Sequence, residues 1–115
     1  FVVLGDLNAS RRGEDGGSDH PIHALLDHPR VQDTGEIAIS EGGLAGREPG
    51  PPEYFERSTT GRATGLRIDY VLPSTDLEVE GGGVHFPWAE RDSAGAERAY
   101  VASDHRLVWV DLVLE

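Results

Sequence analysis

Phe1-Val2-Val3-Leu4-Gly5-Asp6-Leu7-Asn8 opens the chain. Its first five residues are a continuous apolar, partly β-branched run ended by glycine, which predicts a buried strand over 1–5. Asp6 and Asn8 follow at once on either side of Leu7, and the period of two along a strand lets both point the same way. The pattern recurs twice. Arg67-Ile68-Asp69-Tyr70-Val71-Leu72-Pro73-Ser74 reads as a strand over 66–73 with an acid inside it, and Ser103-Asp104-His105 stands just before the apolar stretch 107–114. Burying carboxylates, an amide and an imidazole costs several kcal/mol, roughly, unless they are paired or hold a metal. One shared site served by all the clusters is the economical explanation.

Between these clusters the elements are short. Residues 19–28 predict a helix, with Pro21 in the first turn, Ile22, Leu25 and Leu26 on one face, and Pro29 as the stop. Residues 9–18 read as a polar, Gly-rich loop. Residues 30–64 read mostly as loop, broken by Gly42-Gly43 and Pro49-Gly50-Pro51-Pro52, and an irregular stretch of that length implies function or mobility. A strand is expected over 77–80, with a bend or bulge at Gly81-Gly82-Gly83 and a charged surface loop over 90–99. In 107–114, Val108, Val110, Leu112 and Leu114 alternate with Leu107, Trp109, Asp111 and Val113, so both faces carry apolar side chains, as in a strand covered on both sides. About four strands and a short helix make the chain α+β or sandwich-like.

Composition narrows the functions. A chain of 115 residues suffices for one modest domain. Its 37% hydrophobic content, concentrated in a few runs, with 15 Gly and 7 Pro, describes a folded chain with long polar loops. The net charge of −11 disfavours nucleic acid as a partner, because non-specific binding rests on Lys and Arg neutralising phosphates. A cation bound among the carboxylates would reverse that sign locally. Without cysteine there is no disulfide, thiolate nucleophile or Cys-ligated zinc. No apolar run approaches the ~20 residues of a membrane span.

Taken singly, each cluster has an ordinary explanation. Gly-Asp-x-Asn is also turn chemistry, and Ser-Asp-His is also a cap or turn. Asp69 is harder to dismiss, because strands disfavour Asp. His105 would serve as its partner, and a carboxylate bond fixes an imidazole's tautomer and raises its basicity. Adjacent residues point apart, so Asp69 is a better orienting acid for His105 than Asp104.

The three motifs in this order, Gly5-Asp6-Leu7-Asn8, Arg67-Ile68-Asp69-Tyr70 and Ser103-Asp104-His105, resemble the late motifs of the endonuclease/exonuclease/phosphatase (DNase I-like) superfamily. That group includes apurinic endonucleases, DNase I-like nucleases, sphingomyelinases and inositol-phosphate phosphatases. The ending Ser-Asp-His-Arg-Leu-Val-Trp-Val-Asp-Leu looks especially like bacterial members, which leans the setting toward a secreted or periplasmic one. The resemblance implies an α+β fold, a two-sheet sandwich with flanking helices, and Mg²⁺-dependent hydrolysis of a phosphoester, with Mn²⁺ as the alternative ion. It implies that Asp6 positions or activates the attacking water and that Asn8 holds the scissile phosphate. His105 would contact the phosphate, oriented by Asp69; Asp104, with Asp6, would lie at the metal. Arg67 could meet substrate phosphate, though a surface role is equally open to it.

The resemblance also implies an upstream half, carrying a metal-binding Glu and Asn, that precedes Gly-Asp-x-Asn in the family. Residues 1–115 are therefore expected to be the C-terminal part of such a domain, with little activity alone and with apolar faces that self-associate. The competing reading is a non-catalytic binding or interaction module that keeps the motifs without the chemistry. His20 and His23, at i and i+3, could hold zinc, but with His28 they read more simply as a solvated helix face. Asn8-Ala9-Ser10 matches a glycosylation sequon in a position that makes the match accidental. Gly61-Arg62-Ala63-Thr64-Gly65 lacks the Lys of a phosphate loop. Trp88 and Trp109 read as packing residues.

Overall fold

The fold is taken from a computed structural model that describes residues 1–11, 21–45, 52–61 and 65–115, without the side chains of 53 and 54. The elements are β1 (Val2–Asp6), α1 (Pro21–Leu26), a 3₁₀ turn (Gly42–Leu44), α2 (Pro52–Glu56), β2 (Asp69–Pro73), β3 (Val79–His85), α3 (Ser93–Ala102) and β4 (Leu107–Leu112). They form an α+β fold with two antiparallel two-stranded sheets, β1–β2 and β3–β4. The sheets meet where β2 lies against β4.

The core lies between α1 and the first sheet. Ile22 and Leu26, one turn apart, bury against Tyr70 and Leu72 of β2, and Val3, Leu7, Ala9, Leu25 and Val31 pack around them. Leu72 is 0% exposed. Burying side chains of this size contributes about 1.5–3 kcal/mol each. Because Tyr70 and Leu72 take the core face of β2, the alternation along the strand puts Asp69 and Val71 on the other face. Polar ties fix the sheet from its side: Thr34 Oγ1 donates to Val71 O at 2.8 Å, and Gln32 Nε2 donates to Ser74 O and Leu77 O, both at 2.7 Å.

The second sheet runs straight through its glycines. The strand expected over 77–80 extends to His85, and the bulge falls between Val79 and Gly81. A side chain on Gly83 would meet the Trp109 ring at 2.6 Å, so the glycine makes room for that indole to lie across the sheet. Gly42 answers a similar demand: its added Cβ would fall 1.5 Å from Phe86 O, so only glycine lets the 3₁₀ turn reach the end of β3.

Three expectations need correction. The stretch 90–99, read as a charged surface loop, contains most of α3, which runs to Ala102: Asp92 caps it by accepting from Gly95 N at 2.8 Å, and its four alanines with Glu97 and Arg98 favour helix. Asp69 begins β2 rather than lying inside it. The strands at 1–5 and 107–114 are not covered on both faces, for Leu4 and Leu107 are 68% and 69% exposed while Val3 and Val108 are half-buried. The loop 30–64 also contains two short helical pieces, at 42–44 and 52–56. His20, Arg62, Ala63, Thr64, residues 12–18 and Pro49-Gly50-Pro51 lie outside the described residues.

Candidate active site

Asp6 and Asp69 are direct cross-strand partners at the last residue of β1 and the first of β2. Their neighbours carry the hydrogen bond, Leu7 N donating to Ile68 O at 2.9 Å. Directly opposed strand residues have neighbouring Cβ atoms, so two carboxylates are brought to one sheet end. His105 arrives from the other sheet, just before β4. Its Nδ1 donates to Asp69 Oδ2 at 2.8 Å. Ligand-capable atoms of Asp6, Asp69 and His105 lie within 4.8 Å of one another. The pairing of Asp69 with His105 expected from the sequence is thus present, and Asp6 stands beside it.

The flanking motif residues shape the turns. Asn8 N donates to Asp6 Oδ1 at 2.8 Å, and Asn8 adopts φ 49°, a left-handed conformation that Asn tolerates better than most residues. His105 N donates to Ser103 Oγ at 3.0 Å. Both clusters are therefore the turns that their composition suggested, and the turns are what aim Asp6 and His105. Tyr70, 1% exposed, ties the two strand ends together from beneath, its hydroxyl reaching Ala9 O at 2.7 Å and Arg67 O at 2.8 Å. Arg106, buried next to His105, donates to Ser103 O and His105 O at 2.8 and 3.0 Å and closes the C-terminus of α3, where a cation complements the helix dipole.

Electrostatics follow from these contacts. The hydrogen bond that His105 donates to Asp69 holds its imidazole above the ordinary range; partial burial opposes this, and the charges of Asp69, Asp104 and Asp6 add to it. With Nδ1 committed to Asp69, Nε2 is the nitrogen that can face a ligand. Asp104 Oδ1 lies 3.9 Å from that Nε2, and the Asp104 side chain is 69% exposed. Asp104 is not a member of the close Asp6–Asp69–His105 group. Arg67 is committed elsewhere. Its guanidinium donates to Asp33 Oδ1 at 2.6 Å and stacks 4.5 Å from the Tyr70 ring, with the side chain 12% exposed. The phosphate contact considered for Arg67 would require giving up that pair. Burial works against ionisation of Asp33, but the Arg67 charge, with hydrogen bonds from Arg67 and Gly35, holds its carboxyl below the usual carboxylate range.

The donor set suits a hard divalent cation. Three carboxylates and one imidazole offer mostly oxygen, which Mg²⁺ and Mn²⁺ prefer. Asp69 spends one oxygen on His105, leaving Asp6 and Asp104 as the more exposed carboxylates. The sequence reading passed over Tyr70 and the Ser58-Thr59-Thr60 stretch as site residues. The signal for Tyr70 was its place beside Asp69 on the opposite strand face, where a core residue carrying a hydroxyl must find a partner.

The chain matches the Endonuclease/Exonuclease/phosphatase family over residues 1–105. No curated protein and no solved structure matches it. Members of the family are hydrolases of phosphoester or nucleic acid substrates and are generally dependent on divalent metals. Among the described residues, no helix is long and apolar enough to cross a membrane. All three motif clusters fall within the matched span, the last of them ending at His105, and the chain belongs to the endonuclease/exonuclease/phosphatase family.

Proposed function

We propose that this chain supplies part of the active site of a phosphoesterase that uses Mg²⁺ or Mn²⁺ and attacks phosphorus with water. The observation that carries this reading is the Asp69 Oδ2–His105 Nδ1 contact of 2.8 Å with the Asp6 carboxylate alongside. Asp69 fixes the imidazole so that Nε2 faces the substrate. The raised basicity of His105 keeps it protonated more of the time, and a protonated Nε2 donates to a phosphoryl oxygen as negative charge grows there. Asp6, exposed at the strand end, accepts from the attacking water and aligns it. Asn8, exposed two residues on, offers an amide N–H to a phosphate oxygen. A divalent ion, when bound by Asp6 and Asp104, would neutralise charge on the phosphate.

The acidic balance favours a small, soluble phosphoester over bulk nucleic acid. This reading expects further metal ligands on elements that come before Gly-Asp-x-Asn in the family, so the test uses both the 115-residue chain and any longer polypeptide that its gene encodes. Each is incubated with bis-p-nitrophenyl phosphate and p-nitrophenyl phosphate, with Mg²⁺, Mn²⁺ or EDTA. Metal-dependent release of nitrophenol by the extended polypeptide, lost in His105→Ala, is the expected result, with little turnover by the 115 residues alone. An extended polypeptide inert toward monoester and diester alike would replace this reading with that of a binding module.

A further inference from the structure

Ser58-Thr59-Thr60 takes no part in the chemistry above, yet it is among the most deeply buried polar stretches of the chain. Ser58 and Thr59 are each 1% exposed and Thr60 is 7% exposed. Buried hydroxyls are retained where they are hydrogen-bonded, and here the partners are particular. Thr59 Oγ1 accepts the backbone N–H groups of both Ile68 and Asp69, each at 3.1 Å. Thr59 N donates to Leu66 O at 2.9 Å, and Thr59 O accepts from Arg106 N at 2.7 Å. Thr60 forms a β-bridge with His105, and Gly61 N donates to Asp104 O at 2.7 Å. One residue therefore grips the entry of β2 with its side chain and the entry of β4 with its main chain.

That grip is needed because the first sheet does not supply it. Asp69 opposes Asp6 at the end of the ladder, and its amide goes to Thr59 rather than across to β1. The Ile68 amide goes the same way, although Ile68 O is bonded to Leu7 N. Without the Thr59 hydroxyl, two consecutive N–H groups beside the candidate site lose the acceptor that they share here.

We propose that Thr59 is a positioning residue whose hydroxyl sets Asp69 within hydrogen-bonding reach of the His105 ring. The proposal rests on the dyad read above but not on turnover. Valine at 59 preserves shape and β-branching while deleting the acceptor; serine keeps the acceptor and deletes the methyl group.

NMR on the metal-free 115-residue chain decides it, comparing wild type, Thr59→Val and Thr59→Ser. The readouts are the downfield Nδ1 proton of His105 bonded to a carboxylate and the exchange rates of the Ile68 and Asp69 amides. Wild type and Thr59→Ser should show the proton and slow exchange. Thr59→Val should remain cooperatively folded, lose the proton signal, and exchange the two amides at least about 10-fold faster. A folded Thr59→Val with the signal and exchange of wild type would overturn the proposal. So would loss of the signal in Thr59→Ser, which would make the methyl packing the cause. Should Thr59→Val fail to fold, the wild-type amides decide: protection at Ile68 and Asp69 supports the proposal, and exchange as fast as that of an open loop overturns it. Absence of phosphoester hydrolysis in the extended polypeptide, with these NMR results intact, would remove the hydrolase reading and leave the positioning role standing.

Discussion

Replacing Tyr70 by phenylalanine removes one oxygen from beneath the candidate site and leaves the ring in the core. The hydroxyl reaches two carbonyls, Ala9 O at 2.7 Å and Arg67 O at 2.8 Å, but has a single hydrogen to share between them. The loss is therefore one net hydrogen bond, about 1 kcal/mol, plus the desolvation penalty of carbonyls left short of a partner, about 1–3 kcal/mol. No longer burying a hydroxyl offsets part of this, and the expected destabilisation is about 2 kcal/mol. Urea unfolding should show a lower midpoint at unchanged slope, and Tm should fall by roughly 8 °C for a domain of this size. Alkaline pH supplies an independent check. Burial is the main cause that raises the Tyr70 phenol from 10.0 to about 12. The folded chain then keeps a proton that the unfolded chain gives up above pH 10. Stability is complete below that value and declines as pH climbs toward about 12, by about 2–3 kcal/mol in all. All ten cationic side chains are arginine, so no lysine titration overlaps this window. Tyr70→Phe should abolish its share of the alkaline decline. A loss below about 0.5 kcal/mol at neutral pH, with the alkaline limb unchanged, would show that the hydroxyl does not tie the two strand ends together.

Three further outcomes are expected. In metal-free buffer Asp69→Asn should lower the NMR titration midpoint of His105. In wild type the bonded imidazolium adds stability that is complete below the ordinary value of 6.5 and disappears as pH rises through the elevated folded-state value; a mutant titrating where wild type does would remove Asp69 as the cause. Leu72→Ala, at a position 0% exposed, should cost about 2–5 kcal/mol in urea unfolding, and a cost under about 1 kcal/mol would misplace the core. Leu4 and Leu107 leave apolar strand surface open, so the sedimentation coefficient of the chain should rise with concentration and do so less in Leu107→Glu; a concentration-independent monomer would dispose of self-association.

The places where the sequence misled share a physical origin. Residues 93–102 carry strong helix formers, but their charge and exposure masked the helix, since a helix mostly open to solvent has little apolar periodicity to read. The glycine run 81–83 looked like an interruption because a glycine has no side chain to show that a tryptophan from the neighbouring strand fills its space. Arg67 looked available to phosphate because Asp33, its partner, is 34 positions away.

Local order determined a good deal by itself. A period of two, turn residues at strand ends and one apolar helix face located β1, α1, β2 and β4. The three motifs named the polar residues that gather at the sheet ends, because each lies within a residue or two of a strand whose direction the pattern fixes. Tertiary structure alone decided how those residues divide their bonds. Asp69 goes to His105 and not to a neighbour in sequence, Asp104 stands on the far nitrogen of the ring, and Thr59 captures the amides of β2. The choices of Asp69 and Thr59 depend on side-chain and backbone groups meeting across gaps of 9 to 36 residues. A hydrogen bond forms or fails over a few tenths of an ångström, a precision set by the packing of the whole chain and not written in any short stretch of it.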